Sequence, residues 1–356
     1  MNYHILPDHP KSAYLQLYEQ LRRDIVGGVY PYGSRLPSKR LIADELGISL
    51  ITVEHAYAIL CDEGYVEAKQ RSGYFAAYRQ GDFLSFPEEL SPTPTTGKAP
   101  HAPFPFPLMA RTMRRVLTER GEDILVKAPN HGCQELRSAI SAYLGRSFGL
   151  QVTPRQVIIG SGAEYLYSLL VQLLGTDRPY ALEDPSYPQI RRVYEANHAQ
   201  CRMLKLGSDG VLSAQLAETD AGVLHVTPFH SYPSGVTASA SKRREYLAWA
   251  EERDGFIIED NFDSELTVSA KKEDPLFSLS HRVIYLNTFS RTIAPAIRVG
   301  YLVLPQALLT EFEEKLGFYS CTVPVFEQFV LAELISGGDF ERHINRIRRQ
   351  RRKLVL

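Results

Sequence analysis

Three short stretches of the chain carry residues suited to binding an anionic ligand. Ser161-Gly162-Ala163 comes between a short apolar run and a Leu-rich helical pattern, so its backbone amides and the helix dipole would attract an anion. Asp260 directly follows another apolar run, where a carboxylate can pair with a protonated ring nitrogen. Arg298 lies in a proline-containing loop and can form charge-assisted hydrogen bonds to a phosphate. Each feature alone has a plainer interpretation, such as a strand-to-helix turn for the first and a capping residue for Asp260.

The apolar runs beside these residues predict the strands of one sheet. From about residue 108, short apolar runs alternate with helical patterns, as at residues 240–253. Such alternation is typical of an α/β fold with a mostly parallel sheet and helices on both faces. Ligands bind at the carboxyl ends of the strands in such sheets, where these polar residues fall. The predicted strands are residues 157–159, 180–183, 222–226, 255–259 and 283–286.

A compositional break separates this region from the start of the chain. Seven prolines lie within residues 81–107, and a stretch this rich in proline cannot continue a helix. We therefore expect an N-terminal domain at residues 10–78, a proline-rich linker at 79–107 and the larger α/β domain at 108–356.

The N-terminal segment has the pattern of three helices followed by a hairpin. Apolar residues recur at helical spacing over residues 14–25, and Ser38 is a suitable N-cap for a second helix. A third helix is predicted at residues 49–63, and strands at 65–68 and 74–76 flank a Gly-containing turn. A helix, a short turn, a second helix and a hairpin form a winged helix-turn-helix.

Residues 12–78 closely resemble the DNA-binding domain of GntR-type regulators. The matching stretches are residues 35–40, 43–49, 52–53, 56–57, 63–65 and 72–75. The resemblance implies that a double-stranded DNA operator meets Arg40 and the start of the third helix, while the wing enters the minor groove. The residues that it places at the DNA are Arg35, Ser38, Lys39, Arg40, Ser49, Leu50, Thr52, His55, Arg71 and Gly73.

Two positions of the third helix depart from the GntR pattern. Family members usually carry arginine where this chain has Leu50, and a basic residue is common where it has His55. Since arginine is the usual bidentate partner of guanine, we expect weaker or altered direct readout of the bases. The alternative is a winged helix that serves only packing or dimerisation.

The composition excludes several other classes of protein. The chain has 356 residues, of which 44% are hydrophobic, and a formal net charge of −1. This balance excludes a strongly basic nucleic-acid coat but not a local DNA-binding face. No apolar run resembles a signal peptide or reaches the length of a membrane span, about 18 residues. The four cysteines lack metal-type or redox-type spacing, so we expect a cytoplasmic protein with reduced thiols and no membrane partner.

The larger segment resembles the aminotransferase-like domain of MocR-type regulators over residues 105–352. The matching stretches are residues 132–137, 160–162, 183–188, 227–235, 259–265 and 287–301. The resemblance implies a fold-type-I domain, a homodimer and pyridoxal 5'-phosphate (PLP) in the cleft. It assigns the phosphate to Ser161, Gly162, Ala163, Thr288 or Ser290, and Arg298, the ring nitrogen to Asp260, the ring face to Tyr187 and the ring edge to His230.

Arg291 and Phe262 depart from this family in the chemistry of the cofactor. The resemblance places Arg291 at the lysine that forms a Schiff base with PLP, and a guanidinium, charged at all ordinary pH, cannot do so. Phe262 stands at a tyrosine whose hydroxyl bonds the ring oxygen. A single laboratory substitution would explain Arg291 but not Phe262, so natural loss of the covalent site is the better explanation. Arg291 then either pairs with Asp260 or binds a phosphate or carboxylate ligand.

The functional hypothesis follows from these departures. Family members continue into a small C-terminal domain, which we expect to be missing beyond Leu356. The preferred hypothesis is a DNA-binding transcription regulator without a catalytic residue, metal or covalent PLP, which responds to a small phosphate or amino-acid-like effector. The alternatives are a PLP-dependent aminotransferase-family enzyme with an attached DNA-binding domain, and a DNA-binding protein with a purely structural dimerisation domain.

Overall fold

The computed structural model describes residues 3–6, 11–62, 65–69, 72–77, 104–262, 264–266 and 274–355. The chain forms two compact units, Met1–Thr96 and Gly97–Leu356, and each has its own hydrophobic core. Most of the linker predicted at residues 79–107 lies outside the described residues, and so does Arg71.

The N-terminal unit contains three helices and a hairpin among its described residues. The elements are helices α1 (Ala13–Val26), α2 (Lys39–Leu46) and α3 (Leu50–Asp62), and strands β1 (Val66–Lys69) and β2 (Gly73–Ala76). The two strands pair antiparallel. This order of elements confirms the winged helix-turn-helix predicted from the sequence.

The three helices enclose one apolar core. Leu17 and Leu21 of α1 pack with Val53 and Tyr57 of α3, and all four side chains are fully buried. Helix α2 begins after Ser38, whose hydroxyl accepts a hydrogen bond from a backbone amide of α2 at 3.2 Å. This cap satisfies one of the amides that a helix start leaves unpaired. The packing therefore holds α3 firmly against α1 while its opposite face stays open to solvent.

The larger unit is built on a mixed sheet. Its strands among the described residues are β3 (Val157–Gly160), β4 (Tyr180–Asp184), β5 (Cys201–Lys205), β6 (Val223–Val226), β7 (Phe256–Asp260), β8 (Val283–Thr288) and β9 (Gly300–Val303). They lie in the order β3-β9-β8-β7-β6-β4-β5. All neighbours pair in parallel except β9, which runs antiparallel to both β3 and β8. The predicted α/β fold with a mostly parallel sheet is confirmed.

Helices cover both faces of this sheet. They are α4 (Phe106–Arg120), α5 (Gln134–Phe148), α6 (Ala163–Leu174), α7 (Pro188–Ala196), α8 (Ser213–Glu218), α9 (Ala240–Glu252), α10 (Leu309–Leu316), α11 (Val325–Ser336) and α12 (Asp339–Val355). Because successive strand residues point to opposite faces, Ile158 packs with α6, α7 and α10, whereas Val157 and Ile159 pack with α4, α5, α11 and α12. Among the described residues, no helix has the length and apolar character needed to cross a membrane.

The strand directions bring several chain segments to one edge of the sheet. Strands β3, β4, β6, β7 and β8 all end at this edge, because β3 shares their direction through the antiparallel β9. Strand β9 begins there at Gly300, which lies opposite both Gly160 and Thr288. The residues that directly follow β3 and β7, and the segment 289–299 that joins β8 to β9, therefore meet in one place.

Candidate functional site

A cavity of about 380 Å³ lies at this edge of the sheet. Residues from the start of α6, the end of β7, the end of β8 and the loop before β9 line it. The residues predicted for the cofactor site that line this cavity are Ala163, Tyr187, Asp260, Phe262, Thr288, Ser290, Arg291 and Arg298.

One end of the cavity is formed by Ala163 and Glu164 at the start of α6. Gly162 has a φ of 90°, and a Cβ at this position would lie 2.7 Å from Nη2 of Arg298. The missing side chain therefore lets the guanidinium rest against the turn. Arg298 donates a 2.5 Å hydrogen bond to Oε2 of Glu164, in a half-exposed ion pair. A phosphate bound to the α6 amides would share Arg298 with this carboxylate.

Asp260 lies at the end of β7 and is held by a buried hydrogen-bond network. Tyr167 of α6 donates to Asp260 Oδ2 at 2.6 Å, and His225 Nε2 lies 3.4 Å from the same oxygen. Tyr194 completes the chain, with its hydroxyl 2.6 Å from His225 Nδ1. Burial, and then the nearby Asp260, raise the pKa of Tyr167 well above its usual range, so its phenol stays a donor. The backbone amide of Phe262 donates to Asp260 Oδ1 at 3.3 Å.

A second buried carboxyl, Glu183, lies near the carboxyl end of β4. Its Oε2 accepts a 2.6 Å hydrogen bond from the hydroxyl of Ser231. Burial is the largest cause that raises the pKa of Glu183 to about 7, and the negative charge of Asp260 adds to it. Glu183 therefore changes protonation near neutral pH.

The two departures from the family pattern contact each other. The guanidinium carbon of Arg291 lies 5.1 Å from the centroid of the Phe262 ring. A cation at this distance over an aromatic face is attracted by the ring quadrupole. Both side chains are partly buried and line the cavity, so the charge of Arg291 stays inside it.

Three of the predicted cofactor residues, Ser161, Gly162 and His230, do not line the described part of the cavity. Ser161 and Gly162 belong to the turn behind Ala163 and do not line the cavity among the described residues. His230 has a φ of 58° and is exposed, and it does not line the described part of the cavity either. Tyr187 does line it at the mouth, where its ring makes an edge contact with Tyr232.

Sequence reasoning missed several residues of this cavity. The additional lining residues are Glu164, Tyr167, Ile190, Thr227 and Tyr232. Tyr167 could have been found, because it is four residues after Ala163 and therefore projects from the same side of α6. A tyrosine on a buried helix face needs a hydrogen-bond partner. Asp260, at the end of β7, is that partner.

The basic residues predicted to contact DNA differ in their surroundings. Arg40 and Arg35 are exposed, and the guanidinium of Arg35 lies beside Gly73, with Nε 3.2 Å from where a Cβ would stand. Lys39 is instead paired with Glu54 of α3 at 2.7 Å. The hydrogen bond to Glu54 is the largest cause that raises the pKa of Lys39.

The first turn of α3 is capped by Ser49. Its hydroxyl accepts the Thr52 amide at 3.1 Å, and the two hydroxyls lie 2.8 Å apart. Leu50 is 40% exposed. His55 is also exposed, but its ring contacts Tyr14 of α1 with centroids 5.0 Å apart.

Two protein families match the chain. Residues 13–75 match the family described as "Bacterial regulatory proteins, gntR family". Residues 100–355 match "Aminotransferase class I and II". The chain therefore combines a GntR-type winged helix-turn-helix with an aminotransferase class I/II domain.

Relatives described as transcriptional regulators or regulatory proteins match the chain across both family regions. The uncharacterized HTH-type transcriptional regulator YdeL of Bacillus subtilis is 35% identical over 96% of this chain and 78% of its own length. The pyridoxine biosynthesis transcriptional regulator PdxR of Corynebacterium glutamicum is 32% identical over 98% of this chain and 79% of its own. The probable rhizopine catabolism regulatory protein MocR of Rhizobium meliloti is 28% identical over 94% and 74%. This chain belongs to the MocR-type family and is a DNA-binding transcription regulator with an aminotransferase-like domain.

Solved aminotransferases share the fold of the larger unit. Kynurenine aminotransferase of Pyrococcus horikoshii, in complex with PMP, matches with a TM-score of 0.63 and 26% identity over 69% of this chain and 64% of that chain. LysN, the α-aminoadipate aminotransferase of Thermus thermophilus, matches with a TM-score of 0.62 and 27% identity over 70% and 65%. The chain spans just under two thirds of the length of these two enzymes.

Proposed function

We propose that the larger unit is an effector domain that holds PLP, or another small phosphate ligand, without a covalent bond. The contact between Arg291 and Phe262 inside the cavity carries this proposal. The resemblance assigns these two positions to the lysine and the tyrosine that handle the covalent chemistry. A guanidinium on a phenyl ring supplies neither the amine nor the hydroxyl, but it keeps a positive charge beside the ligand space.

The other lining residues suit a phosphorylated pyridine ring. The amides at the start of α6 and the guanidinium of Arg298 suit a phosphate. Asp260 suits a protonated ring nitrogen, because the Tyr167 hydroxyl and one backbone amide use only part of its capacity as an acceptor. Tyr187 lies at the mouth, where it would cover a ring face.

The set of lining residues argues against turnover. PLP would supply an electron sink for amino-acid chemistry, and a lysine amine is the group that would hold it covalently. None of the described residues that line the cavity is a lysine. The name of PdxR, a 32% identical relative, connects it with pyridoxine biosynthesis, which favours a B6 phosphate as the ligand of this chain.

We further propose that two copies of the chain associate and that residues 10–78 bind a double-stranded operator. The effector then acts by shifting the arrangement of the two DNA-binding domains. Such a shift requires the effector to bind the two arrangements with different affinity.

Calorimetry with PLP, pyridoxamine 5'-phosphate and inorganic phosphate tests the mode of binding. We expect PLP and pyridoxamine 5'-phosphate to bind with affinities within about threefold of each other, because neither gains a covalent bond. Borohydride treatment of the PLP complex, followed by peptide mass mapping, should leave every cavity peptide unmodified. A reduced adduct on a cavity residue would contradict the proposal, and failure of all three ligands to bind would favour the scaffold alternative.

Paired variants localise the phosphate. Arg298→Gln removes a charge-assisted hydrogen bond, worth about 1.5 kcal/mol or more, so phosphate-ligand affinity should fall at least about tenfold. Glu164→Gln removes the competing carboxylate of the 2.5 Å ion pair and should raise the affinity. Arg202→Gln deletes an exposed arginine paired with Asp220 outside the cavity and should leave it unchanged. Equal effects of the two arginine variants would show non-specific charge attraction instead.

A further inference from the structure

Helix α3 has an exposed face without lysine or arginine. None of the 13 residues of this helix is lysine or arginine. Bidentate contacts from arginine or lysine to guanine are the commonest specific contacts in the major groove. Helix α3 cannot make such a contact, so it reads bases by other means. Its exposed residues are Leu50, Ile51, Glu54, His55 and Ala58.

The two polar residues of this face have partners within the N-terminal unit. Glu54 is paired with Lys39 of α2 at 2.7 Å. The His55 ring packs against Tyr14 of α1, with centroids 5.0 Å apart. Both side chains are thereby drawn toward the neighbouring helices, and the other exposed residues among the described side chains of α3, Leu50, Ile51 and Ala58, are aliphatic.

Two large aliphatic side chains lie in the first turn of α3. Ile51 is 73% exposed and Leu50 is 40% exposed. In helix-turn-helix proteins the N-terminal residues of the second helix of the motif contact the base edges in the major groove. The apolar group that base pairs present in this groove is the C5-methyl of thymine. The position and the chemistry of Leu50 and Ile51 therefore match the same feature of DNA.

We propose that Leu50 and Ile51 recognise thymine methyl groups, so that the operator carries A·T pairs where the first turn of α3 meets the bases. This inference rests on the proposed binding of operator DNA by residues 10–78. The exposed Arg35 and Arg40 lie outside α3, so their contacts to the DNA are separate from the readout proposed for the first turn of α3.

The test uses the full chain and a randomised duplex library. Duplexes enriched by the chain are resynthesised with each thymine replaced in turn by deoxyuridine, which removes only the methyl group. Affinities are measured by fluorescence anisotropy at one salt concentration, because phosphate contacts depend strongly on salt. We expect one or two positions in each half-site at which the replacement weakens binding about fourfold, the effect of one methyl group moved from apolar contact to water.

Alanine variants connect this effect to the two side chains. Ile51→Ala and Leu50→Ala should each lose the response at the thymine that the deleted side chain contacts. At that thymine, replacement by deoxyuridine should no longer weaken binding. Val29→Ala is the control, because Val29 is an aliphatic residue of the same unit, 65% exposed, that lies outside α3. It should retain the full fourfold response, the size expected for one methyl group. The melting temperature and helical content of each variant are compared with those of the wild type, so that a folding defect is not mistaken for a lost DNA contact.

The possible failures are distinguishable. Enriched duplexes that tolerate deoxyuridine at every position would overturn the methyl readout while leaving DNA binding intact. A response that survives in both Ile51→Ala and Leu50→Ala would assign the methyl contact to other residues and overturn the proposal. A library from which nothing is enriched would contradict the DNA-binding function itself and this readout with it.

Discussion

Replacing Glu183 by glutamine should remove a pH dependence of stability from the larger unit. The Glu183 carboxyl is 3% exposed, and its pKa is raised from 4.5 to about 7, with burial as the largest cause. The folded state therefore holds a proton that the unfolded state has released between these two values. A carboxyl with a raised pKa contributes its stability at low pH and loses it as the pH rises through the folded pKa. At about 1.4 kcal/mol for each pH unit, the loss over the whole range is about 3.5 kcal/mol.

The assay is urea unfolding of the full chain between pH 5 and pH 8.5. Trp249 is the one tryptophan of the sequence and is buried in the larger unit, so its fluorescence follows that unit. From pH 5 to pH 8.5, the wild-type free energy of unfolding should fall by about 2.5 kcal/mol more than that of Glu183→Gln, because the first part of the loss falls below pH 5. Another buried carboxyl, Glu259, also has a raised pKa, but it is present in both proteins and cancels in the comparison.

A matched control is Glu218→Gln, which changes an exposed carboxyl of the same unit. Its pH profile should follow that of the wild type. Parallel profiles for wild type and Glu183→Gln would refute the reasoning, because they would mean that Glu183 is ionised at the same pH in the folded and unfolded chains.

Three further predictions concern contacts of the larger unit. Gly162→Ala should lower the free energy of unfolding by about 1–3 kcal/mol, because a side chain at φ 90° is strained and meets Arg298; unchanged Trp249 unfolding would show that the turn relaxes freely. A double-mutant cycle of Arg291→Gln and Phe262→Leu should give a coupling of about 1 kcal/mol, and additive effects would mean that the 5.1 Å contact contributes nothing. Gln328→Leu should cost about 2 kcal/mol or more, because fully buried Gln328 accepts one backbone hydrogen bond and donates another; a smaller loss in urea unfolding would indicate that water replaces it.

The architecture was accessible from the sequence because it depends on local patterns. Helical spacing within α1 and the cap at Ser38 are each contained in a few neighbouring residues. The alternation of short apolar runs with helical patterns is similarly local, and the direction of strands in such folds follows from it. Once the strand ends were located, the meeting of Ala163, Asp260 and Arg298 at one edge of the sheet followed.

Contacts between residues that lie far apart in the chain could not be predicted from local sequence patterns. Arg291 and Phe262 were both recognised as departures, but they lie on either side of β8 in the chain, and no local pattern predicts their contact. The resemblance to GntR-type regulators placed Lys39 at the DNA. Its ion pair with Glu54 arises from the angle between α2 and α3, which depends on packing more than on pattern.

The residue at position 291 bears on the two non-catalytic hypotheses. Covalent PLP chemistry is lost with any residue that lacks a nucleophilic amine, so loss of catalysis alone does not explain an arginine. A charge in a partly buried cavity costs free energy of desolvation, which its partners must offset. Arginine keeps the positive charge at all ordinary pH, and the Phe262 ring 5.1 Å away offsets part of the desolvation. A positive charge kept in the cavity lining suits an anionic ligand, so the arginine fits the proposed effector domain.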